Sequence, residues 1–223
     1  MLTEHIPVVI DASHRMGATA HLIITPTYLS IMTKKKDMGP LLALYPMPVT
    51  LVGSILDGKP NFCTIAHVGI LNYGQPQYIS VGLHRSHASN QGIIAHGEFS
   101  VCLPDESLVV ETDYAGMVSA EKADKSSLFT PFFGRLPNAP MADECQICME
   151  CRLHQRLELG QHDIFIGEII ATHIDESVLT DCRVDLRRFH PLLFEMGTKQ
   201  YWSVGQPIAK CWNAGKKHMD RPD

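Results

Sequence analysis

Three cysteines at regular spacing, Cys145, Cys148 and Cys151, first suggest metal chemistry. The bacterial iron–sulfur motif with this start requires a further cysteine after three intervening residues, and this chain has Gln155 there. The segment 147–159 has the composition of a strand, on which residues three apart point to opposite faces. We therefore expect the three sulfurs not to converge, and we interpret these cysteines as small buried apolar residues.

The twelve histidines do not show the spacing of metal ligands, because no two of them are four residues apart. Metal ligands normally come in such clusters. The chain also lacks Gly-x-Ser-x-Gly, the turn that presents a nucleophilic serine in many hydrolases. We predict no metal ligands and no side chain that is catalytic in its own right.

A candidate phosphate site follows Leu83, where a strand is expected to end. The next residues include His84 and Arg85, and a helix is expected to begin at Ser89 and Asn90. A helix N-terminus presents free N–H groups and the positive end of its dipole. With an arginine and a hydroxyl beside it, such a terminus can bind phosphate. The alternative is a capping serine next to a solvated arginine.

Two further segments could complete this site. The first is a strand end whose backbone and terminal imidazole suit a planar polar ring, and it comprises Asn61, Cys63, Thr64, Ile65, Ala66 and His67. The second is a bend of small residues that contains Ser119 and is followed by Lys125, whose ammonium could reach a phosphate as a point charge. The alternatives are an ordinary buried strand with a satisfied histidine, and a surface lysine.

The composition limits the partners that we expect. The chain has 223 residues, 19 Lys and Arg against 24 Asp and Glu, and a net charge of −5. Without a basic surplus, nucleic acid and acidic membranes are not expected partners. No apolar run approaches the roughly 20 residues that span a bilayer. Seven widely spread cysteines and no secretory signal favour a reducing, cytoplasmic location.

The elements that would position these residues are mostly strands. Runs rich in β-branched and aromatic residues predict strands at 48–56, 62–66, 78–83, 99–103, 147–159, 163–174, 192–194 and 201–205. Asp57-Gly58 between the first two runs is a strong hairpin signal. Short helices are expected at 89–96, ended by Gly97, and at 106–116. This pattern predicts a mainly β (α+β) barrel with short peripheral helices, rather than a doubly wound parallel sheet.

One domain is expected at 39–216, followed by a C-terminal tail at 217–223. Residues 1–38 read as an N-terminal extension, either disordered or absent from the native protein, because residues 1–31 show no regular period and Met32 opens a more typical start. Whether residues 1–31 belong to the mature protein is open at this point.

The chain resembles the flavin-reductase-like FMN-binding proteins that include flavoredoxin, from about Leu44 to Lys216. The landmarks are Tyr45-Pro46-Met47-Pro48-Val49, Asp57-Gly58-Lys59-Pro60-Asn61, Gly82-Leu83-His84-Arg85-Ser86-His87, Asp113-Tyr114 with Gly116, Asp124-Lys125, Glu150-Cys151, Phe165-Ile166-Gly167-Glu168, Tyr201-Trp202 and Trp212-Asn213-Ala214-Gly215-Lys216. The chain has His67 where the family often has Trp, and Ala88-Ser89 where it often has an aromatic residue and Thr.

The resemblance implies a Greek-key-like split β-barrel that forms a homodimer and binds FMN. It places the phosphate near Ser89 and Lys125, with the His84-Arg85 loop beside them. It places the isoalloxazine ring along 63–67, with His162 closing its other side. Phe194, Tyr201 and Trp202 are expected either to stack on or shield the ring, or to pack in the core. The remaining residues implied as cofactor-binding are Asn61, Leu83, Asn90 and Ser119.

The implied activity is that of an NAD(P)H-dependent flavin reductase, which passes electrons through FMN to a flavin or protein acceptor. Three alternatives remain open: a flavoredoxin-like carrier reduced by a protein donor, an FMN-binding module without turnover, and an oxidase of the pyridoxamine-phosphate type. The sequence contains no dedicated nicotinamide motif, so it does not separate the reductase from the carrier, nor NADH from NADPH.

Overall fold

The computed structural model describes residues 35–120 and 125–219. The chain divides into two compact units, residues 1–41 and residues 42–223. Within the first unit, the described residues 35–41 contain no helix or strand. Residues 1–34 lie outside the described part, so the expected N-terminal extension stays a prediction.

The second unit is built mainly from β-strands, with short helices at its periphery. The strands are β1 Met47–Pro48, β2 Thr50–Leu56, β3 Lys59–Ile65, β4 Val68–Ile70, β5 Tyr78–His84, β6 Glu98–Leu103, β7 Pro131–Phe132, β8 Met141–Ala142, β9 Ile147–Leu159, β10 His162–Ile174, β11 Leu179–Thr180, β12 Arg183–Val184, β13 Leu193–Glu195 and β14 Gln200–Trp202. The α-helices are α1 Ser89–His96 and α2 Val109–Met117, and 3₁₀ turns occupy Glu106–Leu108, Glu176–Val178 and Ala214–His218.

The main sheet has seven strands in the order β3-β2-β6-β9-β10-β5-β4, and all its pairings are antiparallel. The sheet curls so that its two edge strands, β3 and β4, follow each other in the chain, and Ile65 of β3 packs with Val81 of β5 in one apolar cluster. This curled sheet is the split barrel that the sequence predicted. A second sheet of order β1-β13-β14 adds a hairpin.

The predicted turns are present for the expected reasons. Asp57 and Gly58 have φ angles of 50° and 74°, which suits the tight turn between β2 and β3. Helix α1 ends at Gly97, whose φ of 65° is left-handed and whose N–H bonds to the carbonyl of Ile93. The predicted helix at 106–116 is a 3₁₀ turn that leads into α2. The predicted strands at 147–159 and 163–174 form the long β9–β10 hairpin.

The sheet is buried on both faces in the region of β2 and β6. Val52 and Val101 pack into one apolar cluster with Phe165 and Ile93. Their neighbours Leu51 and Cys102 pack into a second cluster, with Phe62, on the opposite face. Double-sided burial explains why β2 reads as a continuous apolar run rather than as an alternating one. Among the described residues, no helix is long and apolar enough to cross a membrane.

The three sulfurs of Cys145, Cys148 and Cys151 do not converge and all three side chains are buried, as expected, but two of them share one face of the sheet. Cys151 lies in the first cluster, but Cys145 and Cys148 share the second, where the Cys148 thiol contacts those of Cys145 and Cys102. The reason is that Cys145 precedes β9, so strand alternation does not apply to it. No group of three or more His, Cys, Asp and Glu within 35–120 and 125–219 is arranged to hold a metal ion.

Candidate functional site

Two connected cavities open where the barrel closes. The larger has a volume of about 620 Å³ and the smaller about 170 Å³. His87, Gly116 and Met117 line both. The cavities therefore form one continuous groove, which runs from the N-terminus of α1 past the end of β3 to the β13–β14 hairpin.

Lys125 is the central cation of the smaller cavity. Its side chain is buried, and its Nζ donates to the carbonyl oxygens of Phe62 and Ala115, both at 2.9 Å. Among the described residues, no carboxylate lies within ion-pair distance of this ammonium. Burial lowers the pKa of Lys125, as expected for a charge taken out of water. An ammonium has three donors, so one remains for an anion.

Asn61 and Ser89 form the polar wall beside Lys125. The Asn61 amide nitrogen donates to the Ser89 hydroxyl at 2.8 Å. The Asn61 carbonyl oxygen is buried and has no hydrogen-bond partner among the described residues. Buried polar atoms are nearly always satisfied in proteins, so this oxygen indicates a ligand that brings a donor.

The end of β3 forms the wall between the two cavities and helix α2. The Thr64 hydroxyl donates a short hydrogen bond to the Thr112 carbonyl, which fixes α2 against the strand. A side chain at Gly116 would come within 3.1 Å of Thr64, so the close approach of helix and strand requires glycine or a local adjustment. Thr64, Ile65, Ala66 and His67, at and just after the end of β3, line the larger cavity.

Four imidazoles line one side of the larger cavity: His67, His84, His87 and His162. His84 and His162 are direct partners in the β5–β10 register, and their rings meet edge to face with centroids 5.2 Å apart. The His67 ring lies 5.7 Å from that of His162. Burial, and then the neighbouring imidazoles of His67 and His84, lower the pKa of His162.

His87 is the imidazole that joins the two cavities. Its Nδ1 lies 3.2 Å from the Cys63 sulfur. Burial lowers the pKa of His87, and the positive charges of His84 and Lys125 lower it further. Burial also raises the pKa of Cys63. The thiol and the neutral imidazole are therefore the favoured forms of this pair at neutral pH.

The opposite side of the larger cavity is the β13–β14 hairpin, which contributes Phe194, Met196, Lys199 and Tyr201. The Tyr201 hydroxyl donates to the Asp113 carboxylate of α2 at 2.8 Å. Burial, followed by this carboxylate, raises the pKa of Tyr201 above its ordinary range. The bond fastens the hairpin to α2 across the cavity.

Most of the predicted cofactor-binding residues lie along this groove. The smaller cavity contains Asn61, Cys63, Ser89, Ser119 and Lys125. The larger contains Thr64, Ile65, Ala66, His67, His84, His162 and Phe194. Three predicted residues line neither cavity: Leu83, Arg85 and Asn90.

Leu83 and Asn90 support the groove from behind. Leu83 is fully buried in the first apolar cluster, since alternation along β5 turns it away from the side that carries His84. The Asn90 amide nitrogen donates to the carbonyls of His84 and His87 at 2.9 and 2.7 Å. Asn90 therefore holds the loop that carries both imidazoles.

Arg85 binds acidic side chains outside the groove. Its guanidinium lies 3.3 Å from an oxygen of Asp163 and 3.2 Å from an oxygen of Glu158. The Asp163 side chain is only 3% exposed and also pairs with Arg156 at 2.9 Å. Arg85 is thus committed to a buried carboxylate that sequence spacing alone does not reveal.

Sequence reasoning omitted several groove residues from the predicted site. His87, Asp113 and Gly116 lie within segments that carried the resemblance, so a signal for them existed. Met117 and Lys199 had no such signal, because only the folded positions of α2 and the hairpin bring them to the groove.

Residues 42–203 match the flavin reductase like domain, which is most of the described chain. The chain belongs to this family.

Its fold is shared with the flavoredoxin of Methanosarcina acetivorans, with 39% identity and a TM-score of 0.81 over 83% of this chain and 100% of that one. The flavoredoxin of Desulfovibrio vulgaris (Miyazaki F) shows 34% identity and a TM-score of 0.75 over 82% and 100%. An Archaeoglobus fulgidus protein without an assigned activity is 33% identical over 59% of this chain and 75% of its own length. In this flavin reductase like protein, the groove therefore lies in a fold shared with flavoredoxins.

Proposed function

We propose that this protein is an FMN-dependent oxidoreductase that takes electrons from NAD(P)H and passes them on through the bound flavin. One observation carries the proposal. A buried ammonium that has no carboxylate partner among the described residues stands beside an amide oxygen that none of them satisfies, at the polar end of a groove that widens into a mostly apolar cavity. FMN has the matching polarity, with a phosphate and hydroxyls at one end and a flat ring at the other.

The polar end suits the phosphate and the ribityl chain. The free N–H of Lys125 would donate to a phosphate oxygen, and the Ser89 hydroxyl would add a second contact at the N-terminus of α1. The negative charge of the FMN phosphate would stabilise the charged form of Lys125, whereas burial disfavours that form. A ribityl hydroxyl would satisfy the Asn61 oxygen.

The wide end suits the ring system. Bound FMN supplies hydride acceptance and one-electron transfer, which protein side chains cannot provide. The backbone from Thr64 to His67 would supply polar contacts to the ring edge, and Phe194 and Tyr201 would cover the ring from the hairpin side. For such a role the chain only has to orient the ring and exclude water. It needs no side chain that acts as a general acid or base.

An electron carrier that a protein donor reduces is the second candidate. The 39% and 34% identities to two flavoredoxins favour it. The reductase and the carrier share one FMN site and differ only in the donor. A small-molecule donor needs free access to the larger cavity, whereas a carrier needs a docking surface beside it.

We also propose a homodimer. Apolar side chains around and beyond β14 are exposed in the single chain, with Trp202 at 53%, Trp212 at 92% and Ile208 at 100%. Apolar surface of this kind is typical of interaction sites, and a second copy would cover it. Sedimentation of the purified protein at several concentrations tests this state independently of the flavin.

The test of function begins with the absorption spectrum of the purified protein and mass identification of what it releases on denaturation. Anaerobic addition of NADH or NADPH, followed at about 450 nm where oxidised flavin absorbs, distinguishes the candidates. Bleaching by either nucleotide supports the reductase, and bleaching only by a reduced protein partner supports the carrier. A colourless, folded protein that does not bind added FMN would overturn both.

A further inference from the structure

We propose that the larger cavity also binds a planar aromatic acid, whose carboxylate is received by the imidazoles of His67, His84 and His162. The inference rests on the proposed function, because it places this acid next to the flavin as the second substrate. It goes beyond that function by assigning a substrate class to the histidine side of the cavity.

Imidazoles dominate the polar lining of the cavity. The titratable groups that face it are His67, His84, His87, His162, Asp113, Lys199 and Tyr201, with Lys125 and Cys63 next to His87. The carboxylate of Asp113 accepts the hydrogen bond of Tyr201, and the ammonium of Lys199 balances its charge. The other nitrogen groups are the four imidazoles, which can donate hydrogen bonds to an anion and become cationic when they take up a proton.

The imidazoles have hydrogen-bonding capacity to spare. Neither His67 nor His162 makes a hydrogen bond through its ring to another described residue. The His84 Nδ1 accepts the backbone N–H of Ser86 at 3.2 Å, so the hydrogen of its neutral ring stands on Nε2. The register holds His84 opposite His162, and the exposed His67 ring lies 5.7 Å from that of His162.

The rest of the lining favours an aromatic body. Val49, Met117, Phe194 and Met196 also line the cavity. Binding sites for small molecules usually combine an apolar lining with a few polar groups that fix orientation. A flat ring with one carboxylate matches this division, whereas a sugar or a free inorganic anion would leave the apolar wall without a contact.

The arrangement predicts that binding takes up protons. Burial and neighbouring positive charge lower the pKa of His162 and of His87 and so favour the neutral forms of these two rings in the free protein. A bound carboxylate reverses this preference, since an opposite charge within a few ångströms stabilises an imidazolium. Affinity for an aromatic acid should therefore rise as the pH falls through the range in which histidine titrates.

Benzoate and its neutral counterpart benzamide are suitable probes. Two readouts are used: the visible absorption of the FMN-loaded protein, and the histidine side-chain NMR signals of the FMN-free protein. We expect benzoate to bind about tenfold more tightly at about pH 5.5 than at about pH 7.5. The affinity for benzamide should be the same at both pH values. His67→Gln and His162→Gln should each weaken benzoate binding about fivefold or more at the lower pH. His96→Gln, at an exposed position on α1, is the matched control.

The outcomes separate this inference from the proposed function. If the protein binds FMN but benzoate perturbs neither the flavin spectrum nor the imidazole signals, the inference is overturned and the flavin site stands. Equal binding of benzoate and benzamide, or equal effects of the His96 and His162 variants, would also overturn it. If FMN does not bind, the proposed function fails, and benzoate shifts confined to the signals of His67, His84 and His162 would still support the acid site.

Discussion

The ammonium of Lys125 lies 2.9 Å from the carbonyl oxygen of Phe62, 63 residues earlier in the chain. Phe62 belongs to β3, and the second carbonyl bonded by the ammonium belongs to Ala115 of α2. Lys125 therefore joins a strand and a helix at the polar end of the groove. The same ammonium is the best candidate for binding the cofactor phosphate.

Replacing Lys125 tests the phosphate assignment. We expect Lys125→Met to weaken FMN binding by about 1–3 kcal/mol, the usual cost of losing a charge-assisted hydrogen bond. Riboflavin, which lacks the phosphate, should bind the variant and the parent equally well. Fluorescence titration with both flavins measures the difference, and Lys210→Met at an exposed position is the control. Equal losses for FMN and riboflavin would remove Lys125 from the phosphate site.

Arg85 should prove dispensable for the flavin. Because its guanidinium pairs with Asp163 and Glu158, we expect Arg85→Met to change FMN affinity less than about twofold. Its side chain is 45% exposed, so solvent screening should limit the stability loss to about 1 kcal/mol. Combining it with Arg156→Met should cost more than the sum, because Asp163 would then be a buried charge without a partner. Urea unfolding measures this, and a large loss of FMN affinity would contradict the assignment.

The hydrogen bond between Tyr201 and Asp113 should control how firmly the hairpin closes over the groove. We expect Tyr201→Phe to release FMN faster by roughly three- to tenfold, which corresponds to the loss of one hydrogen bond of about 1 kcal/mol. Stopped-flow fluorescence of FMN release gives the rate. Tyr73→Phe, at a side chain that is 98% exposed, should leave the rate unchanged. An unaltered rate in the Tyr201 variant would show that the hairpin does not retain the flavin.

Glu150 makes stability depend on acidity. Burial alone would raise its pKa, but hydrogen bonds from the Arg135 N–H, His173 and the Leu136 N–H outweigh burial and hold the pKa of this carboxyl below its ordinary value. A carboxyl with a depressed pKa stabilises the fold above its unfolded pKa, and this contribution is lost as the pH falls through the folded value. We therefore expect stability to decline between about pH 5 and about pH 3.

Glu150→Gln is the corresponding variant. It should destabilise the protein by about 2 kcal/mol near neutral pH, because the amide accepts fewer hydrogen bonds, and its stability should depend less on acidity than that of the parent. Thermal unfolding across the pH series measures both effects, with the exposed Glu176→Gln as control. The same acid dependence in the Glu150 and Glu176 variants would mean that other carboxylates govern it.

The thiols of Cys102, Cys145 and Cys148 should contribute to packing and not to the visible absorption spectrum. Burial raises the pKa of Cys102 well above its ordinary value, so the thiolate that a metal requires is disfavoured there. We expect Cys148→Ala and Cys145→Ala to lower thermal stability while the flavin spectrum and FMN affinity stay intact. Loss of an absorbance band other than that of flavin, or of iron or zinc by metal analysis, would show that this cluster holds a cofactor.

Local signals in the sequence were sufficient for the long strands and for the approximate positions of the two α-helices. Asp57-Gly58 determined the first hairpin, Gly97 ended α1, and the β-branched runs located the long strands, because turn geometry and side-chain period act over a few residues. Strands of two or three residues, such as β4 and β11, were not predicted, since they exist only through pairing with distant segments. Family landmarks spread along the chain were sufficient for the fold and for much of the groove.

The chemistry of individual side chains depended on the tertiary structure. Sequence spacing treated Arg85 and Lys125 alike, as cations near a proposed phosphate. In the folded chain Arg85 meets the buried Asp163, whereas Lys125 meets two carbonyl oxygens and no carboxylate of a described residue. The pairing of His84 with His162 likewise arises from the register of β5 and β10. The sequence determines the charge and the length of a side chain. The tertiary structure determines its partners, because it decides which strands lie next to each other. Those partners decide whether the charge is already neutralised or is available to a ligand.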